Sequence, residues 1–252
     1  SIVSNNFNSI KESDVIIFCL PTPLKKNQPD LSFLKTACQE TKDNIKTGAI
    51  IILESTSYPG TTEHFMHKNL NLFRYLIGKN IFLGFSPERE DPGNKKFSLT
   101  KIPKVVSGKT KKCLLLIEKV YKLIIPKVVR SDSIKVAETS KLLENVYRAV
   151  NVTLVNEIKL ITNKLGIDIF DVIKVARTKP FGFQPFYPGP GLGGHCLPID
   201  PLYLSYTAKK LGLRSNFIEL TKKINSRIPF LIYSRLKSIF KNKKLKILIL
   251  GV

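Results

Sequence analysis

The feature that most constrains this chain is an alternation in its first half. Short apolar runs of strand length, Val15 to Leu20, Ala49 to Leu53, Ile81 to Phe85 and Lys104 to Ser107, are separated by amphipathic stretches. That pattern belongs to an α/β layer built on parallel strands, because such strands are covered on both faces and need a helix to cross back. Leu31 to Ile45 and Thr61 to Leu72 read as two of the crossing helices, the second announced by Pro59-Gly60-Thr61-Thr62. Ligands in such sheets bind beyond the carboxyl ends of the strands, so the residues after each run are the first candidates for chemistry.

Three of those ends carry polar groups. The first run leads into Pro21-Thr22-Pro23, the second into Glu54-Ser55-Thr56, and the third into Ser86-Pro87-Glu88-Arg89-Glu90. From Ile134 to about Leu165 a helical pattern follows without a proline: Leu143, Val146, Val150, Leu154, Ile158, Ile161 and Leu165 recur every three or four positions. At 1.5 Å per residue this makes a rod of roughly 48 Å, suited to a spine between domains or to a dimer interface. Lys141 and Asn145 lie four apart and share one face of it. Further helical patterns run from Pro201 to Leu211 and from Phe217 to Phe240, and residues 244–252 begin a new strand.

Between the rod and the last helices lies Tyr187-Pro-Gly-Pro-Gly-Leu-Gly-Gly-His-Cys-Leu-Pro-Ile199, closed by Asp200 and Pro201. Glycines at 189, 191, 193 and 194 remove the side chains that would hold a ligand off the backbone, and their amides can face a polar or anionic group. Cys196 then meets whatever is bound there. A thiolate stabilised by amides and a nearby cation attacks aldehydes, and Asp200, four positions on, can position a water for a later hydrolysis. No Gly-Lys-Ser/Thr follows the glycines, so this is not a phosphate-binding P-loop, and His195 beside Cys196 does not have zinc-ligand spacing. Arg177 to Phe186, with Arg, Lys and three phenylalanines, suits stacking on a base or contact with a diphosphate.

The order and wording of these motifs resemble the UDP-glucose/GDP-mannose dehydrogenase family through almost the whole chain. His195 and Pro198 make the cysteine loop most similar to the branch acting on UDP-N-acetylglucosamine and UDP-N-acetylmannosamine, with UDP-glucose as the alternative sugar. The resemblance implies two NAD-dependent oxidations of a sugar C6 alcohol to the uronic acid, with the intermediate carried on Cys196 as thiohemiacetal and thioester. It assigns Thr22, Thr56 and Glu88 to the cofactor, with Thr56 also holding the catalytic water and Glu88 close to the reacting centre. Lys141 becomes the oxyanion stabiliser and proton-transfer group, and Asn145 binds the same oxygen or the water. Tyr187, Gly189, Gly191 and Gly193 join Lys141 and Asn145 as substrate contacts. It also implies a homodimer through the long helix.

A full family member opens with a strand and a Gly-x-Gly-x-x-Gly turn for the NAD pyrophosphate, and no such opening precedes Pro21 here. The expected fold is therefore the C-terminal part of a Rossmann-like parallel-sheet domain (1–130), a central long-helix domain with the lysine and cysteine loop (131–228), and a linker helix with the first strand of a second Rossmann-like domain (229–252). Read this way the chain is an internal fragment, inactive by itself or a remnant that only dimerises.

Composition narrows the partners. Forty-one Lys+Arg against 19 Asp+Glu give a net charge of +22. The lysines are dispersed, with short clusters at Lys95-Lys96, Lys109 to Lys112 and Lys241 to Lys246, and no aromatic-interleaved recognition motif accompanies them. A solvated basic surface is expected rather than a nucleic-acid site. Apolar runs are far too short to span a membrane, the four cysteines have no paired spacing, and no signal segment opens the chain. The expectation is a cytoplasmic protein with reduced thiols, no metal, no membrane and no nucleic-acid partner.

Overall fold

The computed structural model describes residues 3, 6–90, 97–194, 196–241 and 246–250. His195, Lys95-Lys96, most of the cluster from Lys241 to Lys246, and both ends of the run 244–252 lie outside them. Two compact units are present: Ser1–Val146 with Ile199–Ser215, and Tyr147–Pro198 with Asn216–Val252.

The first unit holds a five-stranded sheet. Its strands are β1 (Val15–Phe18), β4 (Ile50–Leu53), β5 (Phe82–Phe85), β6 (Lys104–Gly108) and β7 (Val128–Arg130), side by side in that order. A small hairpin, β2 (Leu24–Lys25) with β3 (Gln28–Pro29), stands apart. The sheet is mostly parallel, as expected, at β1·β4, β4·β5 and β6·β7, and the one antiparallel pair among these strands is β5·β6. The reason lies between Ser86 and Pro103, where the only described helical piece is the short turn Leu99–Lys101. With no crossing helix among the described residues of this stretch, the chain re-enters from the end at which it left. Lys104 is thereby carried to the edge where β1, β4 and β5 finish.

The alternation of β4 sets the two layers. Ile51 and Leu53 pack with α1 (Ser32–Thr41) residues Leu34 and Cys38 and with Met66, Leu70, Leu83 and Phe85. Ile52 faces the other way onto Val106, Ile117 and Tyr121. Those last two come from α3 (Lys111–Lys122), whose start is capped by Thr110 accepting from the Cys113 N–H at 3.2 Å. A Cβ on Gly84 would lie 2.1 Å from the Ser107 carbonyl oxygen of β6 and 2.3 Å from Ile117 Cδ1 of α3, so only glycine fits. The second crossing segment opens with a π-helical turn, Thr61–Met66, and ends as α2 (His67–Asn69). Gly60, at φ +94°, is the residue before that turn.

Glu118 on α3 ties the far edge of the sheet to the helix: it accepts from Arg130 at 2.6 Å and from Lys122 at 2.9 Å. Bonds from Arg130 and Lys122 hold its carboxyl at about 2, below the ordinary 4.5. A lowered carboxyl contributes stability that is full above its unfolded value and is lost as pH falls toward the folded one. The melting temperature of Glu118→Gln should therefore lie below that of the parent above pH 5 and converge with it near pH 2. A constant gap across that range would reject the ion pair as its source.

Helix α4 (Ile134–Lys164) runs through both units. Its buried positions include Ile134, Ala137, Glu138, Leu142, Ala149, Thr153 and Asn156. Leu143, Leu154, Ile161 and Leu165 of the apolar stripe read from the sequence are exposed instead. The small and polar residues are inside because they let other segments approach or bond to the helix. In the second unit α5 (Ile169–Ala176), α7 (Asn216–Asn225) and α8 (Ile228–Phe240) accompany the C-terminal half of α4. The single pattern from Phe217 to Phe240 is thus two helices. Pro229 has no N–H to give an ongoing helix and sits in the first turn of a new one. Residues 246–250 form no strand, although the sequence pattern reads as one. Among the described residues no helix is long and apolar enough to cross a membrane, and no group of three or more His, Cys, Asp or Glu is placed to hold a metal ion.

Candidate active site

In the first unit, polar groups from distant parts of the sequence gather at the carboxyl edge of the sheet. Thr22 is 7% exposed and donates its hydroxyl to the Thr56 carbonyl at 2.7 Å, joining the loops after β1 and β4. The Thr22 carbonyl accepts at 2.7 Å from the hydroxyl of Tyr203, a fully buried residue that sequence reasoning missed. Tyr203 lies on α6 (Cys196–Lys210), which begins at the cysteine, five residues ahead of the expected start at Pro201. Pro201 sits inside the helix and leaves the Leu197 carbonyl without its helical donor.

Asp200, on α6, is 4% exposed and accepts a hydrogen bond from the Asn145 side-chain amide of α4. Two site residues read 55 positions apart are therefore in contact. Lys141 is half-buried one turn before Asn145, and among the described residues no carboxylate forms an ion pair with it. Glu138 on the same helix holds the loop after β4: its carboxylate accepts from Gly60 N–H at 2.5 Å, Thr62 N–H at 3.0 Å and Thr62 hydroxyl at 2.8 Å. The loop carrying Thr56 and the helix carrying Lys141 and Asn145 are thus pinned together.

Glu88 stands at the end of β5, where Oε1 accepts the N–H groups of Arg89 and Glu90, each at 2.7 Å. Arg89 reaches Glu144 of α4 at 2.8 Å and the Pro103 carbonyl at 2.9 Å. Burial raises the Glu88 carboxyl, but the Lys104 ammonium and the two N–H donors outweigh it, so it stays below the usual range. A half-exposed carboxylate in this place is an acceptor for an amide or hydroxyl of a ligand. Lys104 was not legible as a site residue, since in sequence it is merely the first residue of a strand.

In the second unit Cys196 is exposed, and none of the four cysteines is in a disulfide. The glycine run carries Gly-x-Gly-x-x-Gly spacing at 189, 191 and 194, but it follows no strand, so it is not the dinucleotide turn of a βαβ unit. Gly191 (φ +121°) and Gly194 (φ +77°) occupy backbone that other residues avoid. At Gly193 and Gly194 a Cβ would meet nothing within 4 Å, so no protein neighbour demands glycine there. The Gly189 N–H donates to the Asn156 side chain at 2.9 Å, and Tyr187 stacks on Phe170 with ring centroids 6.4 Å apart. In the stretch expected to meet a base, Phe181 and Phe183 are exposed. A cavity of about 670 Å³ in this unit, bounded by Asn156, Leu160, Gly189, Ile228, Leu231 and Ile232 among others, includes only Gly189 of the expected site residues.

Residues 2–125 match the NAD binding domain of the UDP-glucose/GDP-mannose dehydrogenase family, and residues 135–227 match its central domain. The chain is 38% identical over 234 residues to the UDP-N-acetyl-D-glucosamine 6-dehydrogenase of Pseudomonas aeruginosa, covering 92% of this chain and 55% of the relative. Among solved structures it is similar to the UDP-D-ManNAc dehydrogenase of Pyrococcus horikoshii, with TM-score 0.87, 33% identity, and 94% and 56% of the two chains covered. A UDP-glucose dehydrogenase from Pyrobaculum islandicum shares the fold at TM-score 0.83 and 21% identity. The chain spans little more than half the length of the curated relatives it matches. With family domains matched over most of its length and an α/β unit leading into a long central helix, the chain belongs to the UDP-glucose/GDP-mannose dehydrogenase family.

Proposed function

We propose that this chain supplies the bond-making core of an NAD-dependent nucleotide-sugar 6-dehydrogenase whose substrate is a UDP-N-acetylhexosamine. The hydrogen bond between Asn145 and Asp200 carries the reading, because it joins the helix motif to the acid of the cysteine loop. Thr22, Thr56 and Glu88 line the edge at which a dinucleotide lies in such sheets, and the half-exposed Glu88 carboxylate fits the donors of a nicotinamide amide or ribose. Among the described residues no strand runs into a Gly-x-Gly-x-x-Gly turn, so no group for the pyrophosphate is assigned. Bound NAD would accept the hydride in each of two oxidations.

The residues divide the remaining work. Lys141 stabilises the C6 oxygen as the alcohol loses its proton and takes part in that proton transfer. The Cys196 thiolate adds to the aldehyde carbon to form a thiohemiacetal, and loss of the second hydride leaves a thioester on sulfur. Asn145 binds the same oxygen, while Asp200 and Thr56 position the water that cleaves the C–S bond to acid and thiol. Tyr187, Gly189, Gly191 and Gly193 hold the nucleotide sugar against the loop.

The test is NADH formation from NAD with UDP-N-acetylglucosamine, its manno epimer and UDP-glucose. Where NADH forms, two per acetylated sugar are expected from the two oxidations, and preference for UDP-glucose would overturn the choice of sugar. A second reading rests on the exposed stripe Leu143, Leu154 and Ile161 of α4, continued by Leu165 just beyond its end: a homodimer closed along that face, catalytic or not. Light scattering that finds only monomer would remove it.

A further inference from the structure

At the carboxyl edge of the sheet several strand ends and one helix converge on a single buried ammonium. Lys104, at the start of β6, is 5% exposed, and its Nζ lies 3.1 Å from Glu54 Oε1 and 3.1 Å from Glu88 Oε2. Tyr121 of α3 donates its hydroxyl to Glu54 Oε1 and turns its ring toward Nζ, 5.1 Å from the centroid. Cys19, just after β1, sets its Sγ 3.5 Å from Glu54 Oε2. Arg89 points elsewhere, to Glu144 and Pro103, and so does not neutralise Glu88.

The two carboxylates are unequal. The Glu54 side chain is 13% exposed and is satisfied by Lys104, Tyr121 and Cys19. Glu88 is 44% exposed, fixed from behind by Lys104 and two backbone N–H groups, with its remaining acceptor capacity toward solvent. Were Glu54 the only charge to be neutralised, one carboxylate per ammonium would suffice. Instead a half-exposed carboxylate is held by the same cation, and without that cation two adjacent negative charges would repel and one would take up a proton. The ammonium is available there because β6 runs antiparallel to β5 and begins at this edge.

We propose that Lys104 is a positioning residue of this site: anchored on Glu54, it holds Glu88 ionised and in one orientation toward the ligand. What Glu88 meets there rests on the dehydrogenase reading; the hold on Glu88 does not. Burial and the field of Glu54 push the Cys19 thiol up to about 11, so Cys19 is a neutral donor in the cluster and leaves the ionised roles to the carboxylates.

The test is the titration of the Glu88 carboxyl carbon by NMR in the full chain labelled at glutamate, assigned with Glu88→Gln. The parent midpoint should lie below 4.5, the ordinary value. Lys104→Met should raise it by about one pH unit or more, and Lys104→Arg should restore it. The double variant Glu54→Gln/Lys104→Met, which removes one charge of each sign, covers the case in which the single variant does not fold, and it too should show the raised midpoint. An unchanged midpoint in a folded Lys104→Met or double variant overturns the proposal. Where the parent turns over, Lys104→Met should lower kcat about tenfold or more with KM for the sugar nearly constant, and an unchanged kcat also overturns it. Absence of NADH from the parent counts against the dehydrogenase reading alone, and the carboxyl titration then decides the role of Lys104.

Discussion

Replacing Glu138 by alanine is expected to lower the melting temperature by about 6–12 °C or more. The carboxylate is 1% exposed and accepts three hydrogen bonds, from Gly60 N–H, Thr62 N–H and the Thr62 hydroxyl. Alanine leaves those buried donors without an acceptor, at about 1–3 kcal/mol for each group left unsatisfied. A loss of about 3 kcal/mol corresponds to that temperature range for a chain of this size. Glutamine should rescue poorly: donors reach both carboxylate oxygens, and an amide would turn its NH₂ toward one of them. The effect extends to the site, because Glu138 fixes α4, with Lys141 one turn on, against the loop that carries Thr56. Differential scanning calorimetry of Glu138→Ala and Glu138→Gln checks this, and a drop under about 2 °C for both would mean that the bonds are not sustained.

Replacing Cys196 by serine should abolish net oxidation to the acid, by about a thousandfold or more, while leaving ligand binding intact. The hydroxyl is nearly isosteric with the thiol, and Cys196 is exposed. Serine is a weaker nucleophile toward the aldehyde, and any ester formed would expel an alkoxide, a worse leaving group than a thiolate. Lys141→Ala should slow both oxidations and the hydrolysis, since an oxyanion arises in each. Mass spectrometry after brief turnover should find a sugar adduct on the peptide containing Cys196, most abundant in an Asp200→Asn or Thr56→Ala background. Near-normal turnover by the serine variant, with an unmodified Cys196 in the parent, would end the covalent mechanism.

The local code of this chain is strong where periodicity and burial coincide. Apolar runs at β1, β4, β5 and β6 and the uninterrupted pattern of α4 could be read directly, because a strand covered on both faces and a long proline-free helix leave few alternatives. The hairpin β2–β3 escaped notice because its turn uses Lys26 and Asn27, both at positive φ, with no glycine to announce it. At α4 the spacing marks Leu143, Leu154 and Ile161 as one stripe; these three are exposed in the single chain, while Ala149, Thr153 and Asn156 are inside. Apolar spacing says that a helix has a face, and only the neighbours decide which face is covered.

The candidate site divides in the same way. Motif order in the sequence carries the family resemblance, and that resemblance singles out Thr22, Thr56, Glu88, Lys141, Asn145, Cys196 and Asp200 as the groups to consider. Tertiary structure decided which of them touch. The contact of Asn145 with Asp200, the anchoring of Thr22 by Tyr203 and the clamp of Glu138 on Gly60 and Thr62 all join segments far apart in the chain. Lys104 is the clearest case. In sequence it opens a strand; in space an antiparallel turn of the chain sets its charge between two carboxylates, because electrostatic contact depends on distance through the fold and not on separation along the sequence.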